Sequence, residues 1–422
     1  MNAPKQIPNR SVVTSFASAS SIAANATAYE EGHYVLHVAC GPCPTGNARN
    51  TPISCALSNQ CVHTYDRESL KKCHTIDQAH NNPITDLAHT QIASSGDAAQ
   101  SPLLLTSSQD GLVKIFDLRA NGSSASPVIQ LGISKEEALS VDVGYNGVLA
   151  AVSGSRGNIH FFDLRNVNAN ASSASSIFNN PLGSYVDSHT DEVTKVRFQR
   201  MNRDSHETTS LLVSASEDGL ACIFDTSQPT EEHALKSVIN VGSPLRDVGF
   251  FGPSFEGLYC LTGSETMSVW HHDSAQRICD FGDVRNHLSS ISGLPIQYLV
   301  GCSWEQDELN LLAGNGDGEA AIFKVDTGSI SVKRILNGGH KGCIRSFAPC
   351  SWNSSIITGG EDARLCEWNL SQNGTHATAS TSLAESNGII STSLSAKVQA
   401  QVPQYGGGVI RRKKKKKGHA PY

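Results

Sequence analysis

The sequence predicts an all-β protein, a seven-bladed β-propeller, on two observations. Apolar runs end in an aromatic residue seven times along the 422 residues, at spacings of 51, 46, 62, 46, 53 and 45 residues. A tight-turn residue stands six positions before each aromatic, which predicts a hairpin turn leading into a strand. The turn and aromatic pairs are Asn59 and Tyr65, Asp110 and Phe116, Arg156 and Phe162, Asp218 and Phe224, Ser264 and Trp270, Asp317 and Phe323, and Asp362 and Trp368. A period of about 40–50 residues with these features is typical of propeller blades.

Individual copies show why these residues favour strands. In LLTSSQDGLVKIFD, which ends at Asp117, large apolar side chains alternate with smaller or polar ones, as a strand packed between sheets requires. The Asp-Gly pair in its middle tolerates the positive φ of a two-residue hairpin turn. LLVSASEDGLACIFD, which ends at Asp225, repeats the pattern almost residue for residue.

The last unit contains a set of polar residues at fixed spacing. Gly339-His340 precedes it, Thr358 stands four positions before Asp362, and Trp368 follows six positions later. These residues resemble the WD40-repeat propeller family. The resemblance implies that His340, Thr358, Asp362 and Trp368 form a buried hydrogen-bonded relay that ties the turns of the blade together.

Two further units match part of this set. One contains His80, Thr106 and Asp110, and the other His189, Ser214 and Asp218. Both place Phe where the family has Trp, and Phe cannot donate a hydrogen bond, so these relays should be one link short. The first, third, fifth and sixth units lack most of the set, and their assignment depends on period and strand pattern.

Within that family the segments SYVDSHTDEVTKVRFQ (184–199), GGHKGCIRSF and SIITGGEDARLCEWN (together within 338–369) are similar to WD repeat-containing protein 89 and its relatives, as is the Lys-rich ending. The similarity is strongest over about 180–370. It indicates an architecture more clearly than a cellular task.

Chain length fits one domain with extensions, because a seven-bladed propeller uses about 300–350 residues. We predict a flexible N-terminus over 1–10, a propeller over 11–370 and a disordered tail over 371–422 that ends in a basic run. In the family the N-terminus supplies the outer strand of the last blade. The resemblance therefore implies that SVVTSFAS (11–18) closes the ring, which otherwise exposes a sheet edge.

Cysteine spacing suggests one motif that its context does not support. Cys40-Gly-Pro-Cys43 has the residues of a thioredoxin redox site, but a loop sequence follows where that site requires a helix. We interpret it as a surface loop of the first blade. No second C-x-x-C or H-x-x-x-H stands nearby to complete a zinc site. Most of the other cysteines, including Cys61 and Cys222, are expected to be small buried hydrophobes in a reducing compartment.

Catalytic and membrane functions find little support. No phosphate-binding glycine loop, serine nucleophile motif or paired carboxylates stand out, so we expect a non-enzymatic protein without catalytic, cofactor-binding or metal-binding residues. No run of eighteen apolar residues and no basic-then-apolar leader pattern is present in the sequence. We therefore expect an intracellular monomer with no membrane association.

Charge is distributed unevenly. Seven consecutive cations near the C-terminus are Arg411, Arg412, Lys413, Lys414, Lys415, Lys416 and Lys417, and without them the chain has 26 basic and 39 acidic side chains. This run predicts a nuclear or nucleolar address, or a handle for nucleic acid; a solvated end and an autoinhibitory contact are the alternatives. The acidic remainder favours a protein-interaction scaffold whose client is basic, such as a ribosomal protein or histone.

Two consecutive units share one further motif. Phe116-Asp117-Leu118-Arg119 and Phe162-Asp163-Leu164-Arg165 are similar to the WDxR box of substrate receptors of cullin-4 ubiquitin ligases, with Phe in place of Trp. The resemblance implies that Arg119 and Arg165 project toward a ligase adaptor. The alternative is that each arginine caps its adjacent turn, as Asp-x-Arg endings commonly do.

Overall fold

A computed structural model describes residues 10–13, 33–41, 52–67, 70, 72–92, 101–119, 126–165, 177–178, 180–200, 208–350 and 355–370. Within these ranges the strands form seven sheets, each with four antiparallel strands and one with an added fifth. The predicted seven-bladed β-propeller is confirmed. Of the N-terminus predicted to be flexible over 1–10, residues 1–9 lie outside the described residues and Arg10 is the first residue of a strand. The tail from residue 371 also lies outside the described residues.

The strands follow the chain from blade to blade, after an N-terminal strand β1 (Arg10–Val13). Blade 1 consists of β2 (Val35–Cys40), β3 (Ile53–Leu57), β4 (Val62–Tyr65) and β5 (Lys72–Ile76). Blade 2 consists of β6 (Ile84–Ile92), β7 (Ser101–Ser108), β8 (Leu112–Asp117) and β9 (Ile129–Gly132). Blade 3 consists of β10 (Ala138–Gly144), β11 (Leu149–Gly154), β12 (Ile159–Asp163) and the outer strand β14 (Gly183–Tyr185), which a short strand β13 (Ile177–Phe178) precedes in the chain.

The remaining blades follow in the same order. Blade 4 consists of β15 (Val193–Arg200), β16 (Thr208–Ser216), β17 (Leu220–Asp225) and β18 (Leu235–Asn240), and blade 5 of β19 (Leu245–Phe251), β20 (Gly257–Thr262), β21 (Thr266–His271) and β22 (Gln276–Asp283). Blade 6 consists of β23 (Tyr298–Glu305), β24 (Glu308–Gly314), β25 (Ala320–Asp326) and β26 (Ser329–Leu336). Blade 7 contains β27 (Ile344–Cys350), β28 (Ser355–Gly360) and β29 (Arg364–Asn369). In the described part of the chain two short helices, α1 (Glu231–Ala234) and α2 (Arg285–Ser292), lie in connections after β17 and β22.

Each of the seven aromatics lies on the third strand of its blade. Among the described residues, seven hydrophobic clusters form, one between each pair of adjacent blades. Each aromatic belongs to a different cluster, the one that its blade makes with the preceding blade. Tyr65, for example, packs in the cluster of blades 7 and 1, and Trp368 in that of blades 6 and 7. The repeated aromatic therefore fills the space between neighbouring sheets, which explains its period.

The turns between the second and third strands share one backbone feature in all blades. The residue after the predicted turn residue takes a positive φ of 59° to 84° in each copy, and these residues are Gln60, Gly111, Gly157, Gly219, Glu265, Gly318 and Ala363. Four are glycine, which adopts this conformation without a steric cost. The other three retain the turn at a cost of about 1 kcal/mol each.

The ring closes where the last blade meets the first. The inner strand β27 contacts β2, and the backbone N–H of Val38 donates to Ser346 Oγ at 2.9 Å. β1 pairs antiparallel with β29 as the fourth strand of blade 7, with Arg10 opposite Glu367. The closing strand expected over 11–18 overlaps β1 at residues 11–13, and its residues 14–18 lie outside the described residues.

One insertion adds an unpredicted strand. β13, which comes from the chain between β12 and β14 of blade 3, pairs in parallel with β9 of blade 2, with Ile177 opposite Gln130. It extends blade 2 at its outer edge to five strands. Blades 2 and 3 are thus linked at the rim as well as through their packed faces.

The cysteines differ from the expectation in one respect. Cys222 is buried, as expected, but Cys61 is half-buried, precedes β4 and donates its thiol hydrogen bond to Asp77 Oδ1 at 3.7 Å. Cys73 is exposed. Cys61 lies in the turn between β3 and β4 and Cys73 lies on the outer strand β5, and the sheet stack covers turns and outer strands only in part.

Candidate protein-interaction surface

The connections from each outer strand to the next inner strand, together with the turns between second and third strands, form one face of the ring, here called the upper face. His340 lies in such a connection and Asp362 in such a turn. His340 Nδ1 lies 3.0 Å from Asp362 Oδ1 and its Nε2 lies 2.8 Å from Thr358 Oγ1. Trp368 Nε1 donates to Thr358 Oγ1 at 2.7 Å. The structure therefore brings all four residues together.

Geometry assigns the hydrogens of this relay. Thr358 accepts from Trp368 and donates to His340 Nε2, so His340 carries its proton on Nδ1 and donates it to Asp362. Asp362 also accepts the backbone N–H of Lys341 at 2.8 Å. The relay thereby fixes an upper-face connection and an upper-face turn relative to each other.

Blades 2 and 4 hold the two shorter relays. His80 lies 3.0 Å from Asp110 and 2.7 Å from Thr106. In the equivalent positions of blade 4, His189 lies 3.1 Å from Asp218 and 2.7 Å from Ser214. Burial lowers the pKa of His189 despite the opposing effect of Asp218, so the ring is neutral at pH 7 and its Nε2 can accept a hydrogen bond.

Blade 3 contains a relay that the sequence analysis missed. Arg156 occupies the turn position where the other relays have Asp. Glu136, from the preceding connection, takes the place of that Asp as the hydrogen-bond acceptor. Glu136 Oε1 lies 2.6 Å from His160 Nε2 and accepts from Asn158 Nδ2 at 3.1 Å. His160 Nδ1 lies 2.8 Å from Ser184 Oγ on the outer strand. The sequence signal for this relay was Arg156, because a cation at the turn position cannot accept a hydrogen bond from a histidine and the acceptor must then come from another element.

Four exposed carboxylates gather on the upper face across blades 3 and 4, and we call them the acidic quartet: Glu137, Asp191, Glu192 and Glu217. The backbone N–H of Glu217 donates to the Glu192 carbonyl at 2.9 Å, which joins the turn to the connection. Partial burial and the charges of Asp191, Glu137 and Glu217 raise the pKa of Glu192 above its usual value. Lys135 lies in the same connection as Glu137, and Arg156 lies in the turn of blade 3, yet the charged neighbours that shift the pKa of Glu192 are carboxylates.

The raised pKa of Glu192 reflects partial burial and then repulsion from the neighbouring carboxylates, and a positive ligand relieves that repulsion. The relays of blades 3 and 4 hold the two connections that supply the acidic quartet. Glu136 lies in the same connection as Glu137, and His189 lies in the same connection as Asp191 and Glu192. The quartet is therefore a negative patch on a stiff support.

Charged side chains of the inner strands form a second cluster, which is internally paired. Asp86 on β6 accepts from Ser140 on β10 at 2.6 Å, and it lies 3.1 Å from Lys195 Nζ and 3.3 Å from Arg197 on β15. Burial alone would raise the pKa of Asp86, but Lys195 and Arg197 outweigh it and hold the pKa well below its usual range. This cluster joins three blades and has a structural role.

The two predicted rim arginines bind their own aspartates. Arg119 donates to Asp117 through Nη2 at 2.7 Å, and Arg165 donates to Asp163 at 2.8 Å. The hydrogen bond from Arg119 lowers the pKa of Asp117, and that from Arg165 lowers the pKa of Asp163. The arginine side chains are 56 % and 67 % exposed. Each arginine thus caps its turn while part of its guanidinium faces solvent.

Other predicted features fall outside this surface. The cations from Arg411 to Lys417 lie outside the described residues. Within the described ranges no group of three or more His, Cys, Asp and Glu side chains is placed to hold a metal ion. No helix in the described part of the chain has the length and apolarity to cross a membrane.

Repeated four-stranded sheets, periodic aromatics and His-Ser/Thr-Asp relays define a WD40-repeat propeller. Residues 70–117, from β5 to the end of β8, match the family model described as "WD domain, G-beta repeat". The chain is 30% identical over 309 residues to WD repeat-containing protein GTS1 of Arabidopsis thaliana, covering 70% of this chain and 74% of that protein. The chain belongs to the WD-repeat family.

The predicted resemblance within the family is also confirmed. The chain is 26% identical over 320 residues to a WD repeat-containing protein 89 homolog of Dictyostelium discoideum, covering 75% of this chain and 79% of that protein. Among solved structures, a chain of the crystal structure titled Mitotic Checkpoint Complex aligns with a TM-score of 0.59 at 14% identity, covering 88% of this chain and 98% of that chain. At that identity the similarity concerns the fold alone.

Proposed function

We propose that this protein is a non-catalytic interaction scaffold that binds a basic client protein through the acidic quartet on its upper face. WD40 propellers typically bind other proteins, and the present chain has the fold and the relays of that family. The observation that carries the proposal is the convergence of Glu137, Asp191, Glu192 and Glu217 from two connections and a turn on a rigid ring. Electrostatic complementarity of this kind selects partners and accelerates their association.

The test is affinity purification of the tagged full chain from nuclear extract, with quantitative mass spectrometry. In the test variant the acidic quartet is neutralised as Glu137→Gln, Asp191→Asn, Glu192→Gln and Glu217→Gln. The control variant neutralises four carboxylates outside the upper face, Glu232→Gln, Asp273→Asn, Asp280→Asn and Asp326→Asn. We expect basic proteins to be recovered with the unaltered chain and the control, and to fall by about tenfold with the quartet variant, since each lost charge contact weakens binding. Equal recovery with all three proteins rejects the proposal.

The same experiment addresses a second candidate function. The FDLR arginines of blades 2 and 3 have matching geometry and exposed guanidinium surface, which is the observation that favours a ubiquitin-ligase receptor. A receptor would recover a ligase adaptor with the unaltered chain, and recovery would depend on Arg119 and Arg165 and be insensitive to the quartet.

We further propose a nuclear or nucleolar location, addressed by the basic run Arg411–Lys417. Deleting these seven residues is expected to shift a tagged protein from nucleus to cytoplasm and to leave its melting temperature unchanged, because a transport receptor reads such a run as an extended peptide. Imaging together with a thermal melt makes the measurement. If the run is instead a handle for nucleic acid, nuclear entry persists and a salt-sensitive association with nucleic acid is lost. An unchanged location and unchanged nucleic-acid binding would contradict both roles.

A further inference from the structure

Two cysteine thiols meet at the seam between the last and first blades. Cys40 ends β2, the inner strand of blade 1, and Cys350 ends β27, the inner strand of blade 7. Their sulfur atoms lie 3.3 Å apart although 310 positions separate them in the sequence. Both strands are held by the seam hydrogen bond from Val38 to Ser346 and by a shared hydrophobic cluster. Packing of two sheets therefore fixes the thiols against each other.

Cys40 and Cys350 differ in exposure. Cys40 is half-buried, whereas Cys350 is only 2 % exposed. Cys350 lines a cavity of about 40 Å³ between blades 6 and 7, and the lining extends to the exposed Gln306. A water molecule needs about 10–15 Å³ of such space, so a molecule the size of hydrogen peroxide can enter the cavity beside Cys350.

Electrostatics distinguish the two thiols. The hydrogen bond between the two thiols and the nearby Arg67 guanidinium outweigh burial and lower the pKa of Cys350 below its usual value. The same hydrogen bond and burial raise the pKa of Cys40. Elsewhere, burial raises the pKa of Cys222 and Cys366 to about 12. We assign Cys350 as the nucleophile, because it lines the cavity and the nearby Arg67 guanidinium favours its thiolate, which is the reactive form.

We propose that Cys40 and Cys350 form a reversible disulfide that covalently closes the propeller ring, with a hydroperoxide as the oxidant. The sulfurs must approach from 3.3 Å to about 2.05 Å. Because they lie on the inner strands of the first and last blades, the bond would tie together the two ends of the ring. It would complement β1, which supplies blade 7 with a strand of only four residues.

The chemistry has two balanced steps. The Cys350 thiolate attacks one oxygen of the hydroperoxide, the O–O bond breaks, and the leaving alkoxide takes a proton to become an alcohol, or water from hydrogen peroxide. Cys350 is now a sulfenic acid. The Cys40 thiolate then attacks the Cys350 sulfur, the S–S bond forms, and hydroxide leaves with the proton from Cys40 as water. Two thiols lose two electrons in total and the peroxide gains them; a thiol reductant reverses the change by exchange.

The test treats the full chain with submillimolar hydrogen peroxide, alkylates remaining thiols and identifies disulfide-linked peptides by mass spectrometry. We expect a peptide that joins Cys40 to Cys350 and disappears after reduction. Intact oxidised protein should migrate faster on a nonreducing gel, because the bond closes a loop of about 310 residues. Its melting temperature should rise by about 5 °C relative to the reduced protein.

Matched variants make the result specific. Cys350→Ser and Cys40→Ser should each abolish the linked peptide and the gel shift, whereas Cys222→Ser, which removes a buried thiol elsewhere, should preserve both. Oxidation of the exposed Cys73 shows that the reagent reached the protein. A Cys40–Cys43 disulfide in place of the predicted one would overturn the proposal, because it would support the C-x-x-C motif instead. So would an unlinked Cys350 in a sample whose Cys73 is oxidised.

Discussion

Replacing Trp368 by Ala is expected to destabilise the protein by about 3–5 kcal/mol, the usual effect of deleting a large buried aromatic. The Trp368 side chain is fully buried in the cluster between blades 6 and 7. Trp368 Nε1 also donates a hydrogen bond to Thr358 Oγ1, and the Thr358 hydroxyl in turn donates to His340 Nε2. A Cβ at Gly339 would lie 2.5 Å from the Trp368 ring, so the Gly339 backbone packs against the ring and leaves no room for a side chain. Chemical denaturation of the reduced protein measures the effect.

Trp368→Phe provides the graded control. Phe occupies the equivalent third-strand position in four other blades, so the substitution preserves an aromatic between the sheets and removes one hydrogen bond. We expect a loss of about 1–2 kcal/mol. Equal losses for Ala and Phe would show that the hydrogen bond accounts for the effect, and no loss for Ala would contradict the assigned packing.

Asp86→Ala is expected to cost about 3–5 kcal/mol of unfolding free energy, because it leaves the charges of Lys195 and Arg197 without their carboxylate. Asp86 is 5 % exposed and bridges the inner strands of blades 2, 3 and 4. Asp86→Asn retains a hydrogen-bond acceptor for Ser140 and should cost less. Thermal and denaturant unfolding measure both variants.

Asp273→Ala is the matched surface control. Its carboxylate is 57 % exposed and lies 3.4 Å from Lys236 Nζ, a pair that solvent screens. We expect a change within about 0.5 kcal/mol. Similar costs for Asp86→Ala and Asp273→Ala would mean that the three-blade ion cluster contributes little to the ring.

The period of the sequence predicted the fold because each blade has the same local pattern, a turn residue followed six positions later by an aromatic residue. Asp110 and Gly111 define a turn through their own backbone preferences, and Phe116 marks the third strand, so both features are visible within one short segment. The full relay of blade 7 was predictable for the same reason, since its four residues match a family pattern.

Contacts between blades were not predictable, because they depend on how sheets far apart in sequence come together. Cys40 and Cys350 become neighbours only when the ring closes, and Asp86 meets Arg197 across two blade boundaries. The Glu136 to His160 relay lies within blade 3, and it was missed because its acceptor comes from the connection and its histidine from the third strand, the reverse of the expected order. Side chains that link blades carry no local signature.

The proposed function is tested most directly by the dissociation constant of the purified chain with the basic client that affinity purification identifies. Titrations at about 50 and 200 mM salt should show tight binding that weakens with salt, because screening shortens the reach of exposed charges. The quartet variant should bind about tenfold or more weakly at the lower salt and with a smaller salt dependence, while the control variant binds like the unaltered chain. A quartet variant with the affinity and salt dependence of the unaltered chain would contradict the proposal that this face holds the client.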